Sequence, residues 1–184
     1  MKTIEEKRKA RRKISAEDFT PSWLVNDILD KLNEYGKESW EPNKTFCDPA
    51  CGNGNMLVEV LKRKISLGHD PIEALSTIYG TDIMQDNIRE CRLRLLKIVK
   101  DEGCTINEDT VKTVFNQIVW TSLKRYPNGS LDYSFDFPKK ASNKDIIPWV
   151  KGINEDKWLD DTEKEHEEAQ VLEGDNSLTL FDVL

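Results

Sequence analysis

The order of apolar and glycine-marked segments through the middle of the chain constrains its fold more than any other feature. "KTFCDPACGNGN" reads as a short strand ending near Asp48, followed by a turn in which only Asn53 separates Gly52 from Gly54. "MLVEVLKRKISLG" then repeats apolar residues at helical spacing until Gly68 stops it. "PIEALSTIYGTDIM" reads as a short helix running into a strand, Thr77 to Thr81, with Asp82 at its carboxyl end. "QDNIRECRLRLLKIVKDEG" is a long amphipathic helix closed by Gly103. "FNQIVWTSL" reads as a third strand, and "LDYSFDF" as a fourth strand or part of a hairpin. Strand, helix, strand, helix, strand in that order predicts an α/β fold with a parallel sheet wound by helices.

Upstream, "SAEDFTPSWLVNDILDKLNEYG" predicts a helix with Pro21 in its first turn, ending near Gly36. Leu24, Ile28, Leu29 and Leu32 fall on the face expected to be buried. With 184 residues, the chain can form one core of ordinary size. Its 33% of charged residues against 38% hydrophobic ones leave part of the length outside that core. The expected organisation is a basic arm over 1–15, a domain over 16–150, an acidic linker or helix over 151–175 and an apolar peptide over 176–184.

The formal charge of −7 argues against a protein that coats nucleic acid by bulk electrostatics, but the charge is segregated. Lys2, Lys7, Arg8, Lys9, Arg11, Arg12 and Lys13 crowd the first residues, whereas Glu155 to Asp175 is acidic. The basic arm reads either as a solvated leader or as a phosphate-contacting arm; the acidic stretch reads as solvated chain. No apolar run reaches the length of a membrane span and no signal-peptide pattern opens the sequence, so a soluble, cytoplasmic protein is expected. Cys47, Cys51, Cys91 and Cys104 fit that compartment as reduced thiols, and without CxxC pairs or neighbouring histidines they predict no metal site.

In wound parallel sheets, ligands bind outside the carboxyl ends of the strands, where glycines let the backbone approach and the next helix begins. Gly52 and Gly54 stand at such a place, and Asp48 and Asp82 end the first two predicted strands. An acid at the end of the second strand is suited to accept hydrogen bonds from the hydroxyls of a ribose. The two glycines alone also suit a tight turn with no ligand, and the third glycine of a dinucleotide fingerprint is missing.

The full string "DPACGNGNML" resembles the cofactor loop D-P-A-C-G-S/T-G-N-F/M-L of S-adenosylmethionine-dependent DNA adenine-N6 methyltransferases, departing mainly at Asn53. "FTPSWLVNDIL" resembles that family's upstream T-P segment, and "YGTDIMQDNIRECRLRLL" its ribose-binding strand and helix. The resemblance covers about Phe19 to Leu96 and continues more weakly to Phe137. It implies a Rossmann-like class I methyltransferase fold, here an incomplete doubly wound sheet, with S-adenosylmethionine as cofactor and DNA as substrate. Thr20 and Pro21 would flank the methionine carboxylate. Asp48, Pro49, Ala50, Cys51, Gly52 and Gly54 would line the loop, and Asp82 with Ile83 would hold ribose and adenine.

The family orients the acceptor amine with a D/N/S-P-P-Y/F/W tetrapeptide, and no Pro-Pro pair occurs here. "LDYSFDF" continues instead as "PKKASNKD", leaving the catalytic residues unknown, with Asn143 and Asp136 as the candidate substitutes. "IVWTSL" offers Thr121 and Ser122 where the family usually places an acid against adenine. Two functions therefore stand open: an adenine methyltransferase, or a silent module of that fold acting through a protein partner such as a second methyltransferase chain or a restriction component. The short sheet leaves an edge for a homodimer or second subunit to cover. "NSLTLFDVL" reads as a buried terminal strand, yet it resembles the Q-L-S/D-L-F peptide that docks bacterial replication proteins into the sliding clamp. Leu178, Leu180 and Phe181 would be its anchors, with Ser177 replacing Gln.

Overall fold

A computed structural model of the chain describes residues 19–121, 124–125, 131–132 and 142–155. Helix α1 spans Ser22–Tyr35 and leads into a short 3-10 helix, Lys37–Trp40. Strand β1 (Phe46–Asp48), helices α2 (Asn55–Ser66) and α3 (Pro71–Leu75) and strand β2 (Ile78–Asp82) follow. Next come helices α4 (Gln85–Asp101) and α5 (Glu108–Gln117), then strand β3 (Ile118–Trp120). Strands β4 (Lys124–Arg125) and β5 (Leu131–Asp132) pair antiparallel, and helix α6 spans Asn143–Asn154.

The first three strands form a parallel sheet in the order β1-β2-β3. Asp48 lies opposite Gly80, Gly80 opposite Ile118, and Asp82 opposite Trp120. Because strand side chains alternate between faces, Asp48, Gly80 and Asp82 share one face. Helix α2 packs on β1 and β2, α4 packs on β2 and β3, and the two helices touch each other. Leu57 and Leu61 from α2 and Ile88, Leu95 and Leu96 from α4 are buried with Ile78 and Ile118. Each such side chain stabilises the fold by roughly 1.5–3 kcal/mol relative to exposure.

At the amino ends of the strands sits a buried cation. Lys64, at 0% exposure, donates from Nζ to the carbonyl of Lys44 at 2.6 Å, to Thr77 Oγ1 at 2.8 Å and to the carbonyl of Pro42 at 3.4 Å. Thr77 Oγ1 in turn donates to the carbonyl of Ala74 at 2.7 Å. These bonds join the approach to β1 to the approach to β2, and burial lowers the pKa of the amine.

The structure departs from the sequence reading in identifiable ways. Helix α1 begins after Pro21, whose carbonyl accepts the amides of Leu24 and Val25, and its inward residues are Val25 and Leu29. Ile28 is 45% exposed, because the buried stripe runs through Val25, Leu29 and Leu32 rather than through Ile28. Phe115, Asn116 and Gln117 close helix α5 instead of opening β3. The Asn107 side chain caps α5 by accepting the Thr110 amide at 2.9 Å, and Val111 and Val114 bury one face. "LDYSFDF" contributes Leu131–Asp132 to a hairpin with Lys124–Arg125; its remaining residues lie outside the described ones. Asn143, a candidate substitute for the missing tetrapeptide, opens α6, where Ser142 and Asp145 form a capping box ahead of the buried Ile146 and Trp149.

The basic arm, Asp136, the acidic stretch beyond Glu155 and the peptide with Ser177, Leu178, Leu180 and Phe181 lie outside the described residues. No helix among the described residues is long and apolar enough to cross a membrane.

Replacing Lys64 with Met keeps its apolar stem and strands the three acceptors, so urea unfolding is expected to show a loss of about 1–3 kcal/mol with an unchanged slope. The sign of the pH dependence is also set. Between the lowered native pKa and the ordinary 10.5, the unfolded chain binds a proton that the native protein does not. Wild-type stability therefore rises relative to Lys64→Met as the pH climbs toward 10.5.

Candidate functional site

The loop between β1 and α2 is stitched to β2 bond by bond. Asp48 Oδ1 accepts the Ala50 amide at 3.0 Å, a turn in which the side chain replaces a backbone acceptor. The Cys51 amide donates to the carbonyl of Thr81 at 2.9 Å, and Thr81 Oγ1 donates to the carbonyl of Pro49 at 2.9 Å. The Gly52 amide then donates to Asp82 Oδ2 at 3.0 Å. Gly54 donates to the carbonyl of Cys51 at 2.8 Å, and its own carbonyl accepts the Val58 amide at 2.8 Å as α2 begins.

Both loop glycines are required by conformation and by space. Gly52 has φ +52° and Gly54 φ +90°, in the left-handed region that side chains disfavour. A Cβ on Gly52 would stand 3.1 Å from the Phe19 ring, and one on Gly54 would stand 2.5 Å from Cys91 Sγ. Gly80 in β2 has the same spatial role, since its Cβ would meet Leu57 at 2.6 Å and Cys51 Sγ at 3.0 Å.

Asp82 is the hub of this arrangement. Besides Gly52, its carboxylate accepts the Met84 amide at 2.7 Å and Asn87 Nδ2 at 3.4 Å through Oδ1, which ties the start of α4 to the loop. A carboxylate has about four acceptor positions, so capacity remains for a ligand's hydroxyls. Burial pushes the pKa of Asp48 up; the Ala50 amide opposes this and the negative charge of Asp82 adds to it. The Cys51 thiol is driven upward by its hydrogen bond with Cys91 and then by burial, which makes it a neutral packing group rather than a nucleophile.

The remaining residues expected from sequence stand around the same loop. Thr20 is exposed, its carbonyl accepts Asn55 Nδ2 at 2.9 Å, and Pro21 follows it into α1. Ile83 is 62% exposed, and its carbonyl accepts Trp120 Nε1 at 3.0 Å. Thr121 donates its amide to the carbonyl of Asp82 at 3.1 Å, whereas Ser122 lies outside the described residues. Trp120 also borders a cavity of about 690 Å³ whose lining includes Ile88, Arg92, Phe115, Asp145 and Trp149. There the Arg92 guanidinium lies 3.9 Å over the Phe115 ring and donates to the carbonyl of Ile118.

Sequence reasoning missed Phe19, Asn53, Asn55, Gly80, Glu90, Arg94 and Trp120 as parts of the site. All but Trp120 lie inside the segments that carry the resemblance, but no signal there singled out their roles beyond Asn53, where the loop departs from the pattern.

A sequence model of the N-6 DNA methylase family matches residues 3–118. A Type II methyltransferase, M.VspI, of Vibrio sp. (strain 343) is 33% identical over 94 residues, 51% of this chain and 19% of that protein. The chain thus spans about a fifth of the length of that relative. No solved structure matches it.

Gly54→Ala is expected to destabilise the protein far more than Gly103→Ala in urea unfolding. Gly103 has φ +82° but no atom within 4 Å of a Cβ, so it loses only the backbone preference of about 1–2 kcal/mol. For Asp48 the expected signature is in pH. With its native pKa raised above 3.8, the native protein binds the proton that the unfolded chain releases first. Stability of the wild type relative to Asp48→Asn should therefore fall as the pH rises from 3.8 through the native value, measured by denaturation at a series of pH values.

Proposed function

The chain belongs to the N-6 DNA methylase family, and from that premise we propose that it binds S-adenosylmethionine at the Asp48–Gly54 loop and Asp82. The activity it would serve is methyl transfer to the N6 amine of adenine in DNA. The three-stranded sheet with its helices is read here as part of a Rossmann-like methyltransferase sheet.

One observation carries the reading: the hydrogen bond from the Gly52 amide to Asp82. It sets an acid at the end of one strand against a glycine loop at the end of its neighbour, which is the placement a ribose and the chain attached to it require. The residues present fit the cofactor. Asp82 keeps acceptor capacity for ribose hydroxyls, and the exposed Ile83 offers an apolar face beside it. Asp48 and Asp82 set two carboxyl groups on one face at neighbouring strand ends, and the charge of Asp82 adds to the burial that raises the pKa of Asp48, so a positive centre on the ligand would offset their repulsion. Thr20 and Pro21 flank the loop on its other side through Asn55. When bound, the cofactor supplies an electrophilic methyl group on a sulfonium. The chain's own part is to hold and orient it, with Gly52 allowing close approach of the backbone. The Vibrio relative, a Type II methyltransferase, supports methyl transfer as the reaction class.

Calorimetry with S-adenosylmethionine tests the proposal. The wild type should bind, and Asp82→Asn, which removes the charge and one acceptor oxygen, should bind about tenfold to a hundredfold more weakly. A wild type that takes up no cofactor would sink the reading. Transfer of labelled methyl to adenine in DNA, with the chain alone and with added protein partners, then separates an enzyme from a silent module.

A further inference from the structure

We propose that Arg94, with Glu90 one helical turn before it, is a positioning pair that holds the glycine loop and the Thr20–Pro21 segment at a fixed spacing and thereby sets affinity for the cofactor. The affinity half of this inference rests on S-adenosylmethionine binding at the loop; the holding half stands on the bonds themselves.

Glu90 and Arg94 lie four residues apart in α4, so their side chains leave the same face. Arg94 Nη1 donates to the carbonyl of Asn53 at 2.9 Å and to Asn55 Oδ1 at 2.7 Å. Glu90 Oε1 accepts Asn53 Nδ2 at 2.9 Å. Asn55 Nδ2 in turn donates to the carbonyl of Thr20 at 2.9 Å. One guanidinium therefore grips the backbone between the two left-handed glycines and, through Asn55, the main chain ahead of α1.

Asn53 is only 3% exposed, and its Oδ1 is buried without a partner among the described residues. An unmet acceptor of this kind is tolerated where the rest of the group is firmly held, here by two charge-assisted bonds. The grip matters because the residues flanking Asn53 are the two most permissive in the loop. The Phe19 ring, against which a Cβ on Gly52 would press, completes the contact between the two segments. Neither Glu90 nor Arg94 stands at the carboxyl ends of the strands, so both act through Asn53 and Asn55 rather than on the ligand.

The test uses Arg94→Met, which retains the apolar stem, Arg94→Lys, and Asn55→Ala. Hydrogen exchange is followed at the Cys51, Gly52 and Gly54 amides in the protein alone, with the β2 amides as control, and cofactor affinity is measured by calorimetry. Arg94→Met should speed loop exchange and weaken binding by about tenfold, with β2 unchanged and part of both effects recovered by Lys. Should β2 exchange rise as well, Asn55→Ala decides, since it removes the Asn55 bonds to Arg94 and to Thr20 while leaving the bond from Arg94 to the carbonyl of Asn53, and it should still speed the loop and weaken binding. Wild-type loop exchange in both Arg94→Met and Asn55→Ala overturns the positioning role. Fast loop exchange with wild-type affinity overturns its link to binding. A wild type that binds no cofactor while loop exchange still depends on Arg94 defeats the cofactor reading and leaves the holding role standing.

Discussion

The hydrogen bond from the Gly52 amide to Asp82 is the constraint on which the rest of the site depends. For it to form, Asp82 must reach two residues beyond Gly80, the position that pairs with Asp48, and the chain must turn back over the end of β2 immediately after β1. The left-handed φ of Gly52 makes that turn, and the bare Cα of Gly80 leaves room for Cys51 and Leu57 above the sheet. The requirements fall partly on the loop and partly on β2, and one parallel register meets them all. Altering the pairing of β1 with β2 by a single residue would send Asp48 to the opposite face and separate the two acids.

How much of this was legible in the sequence follows the range of each interaction. Gly52, Gly54, Asp48 and Asp82 carry local signals, because a glycine turn and a strand-ending acid announce themselves within a few residues. Helix α5 was obscured by its own composition: Val111, Thr113, Val114 and Phe115 are residues that strands favour, and a capped helix of three turns shows little periodicity beside them. Lys64 sits in the run "LKRKIS" beside the exposed Lys62, and nothing local tells the buried lysine from the solvated one. Glu90 and Arg94 read as ordinary surface charges on an amphipathic helix. Their partners lie 37, 39 and 41 residues away in sequence, a separation at which only the folded chain shows the pairing.

The sheet is electrically polarised, and that polarity bears on what it can hold. Lys64 is buried near the amino ends of β1 and β2, whereas Asp48 and Asp82 stand at the carboxyl ends. The amino termini of α2 and α4 begin beside those acids, and the helix dipoles favour negative charge there. That field, with the bonds from Gly52, Ala50 and Met84, is what permits carboxylates in a half-buried setting. It does not fully offset the burial of Asp48, whose pKa remains raised with Asp82 contributing to the rise. A neutral or anionic ligand would leave this repulsion in place or add to it. A ligand that presents hydroxyls to Asp82 and a positive centre near Asp48 would relieve it. The proposed sulfonium cofactor belongs to that class of ligand.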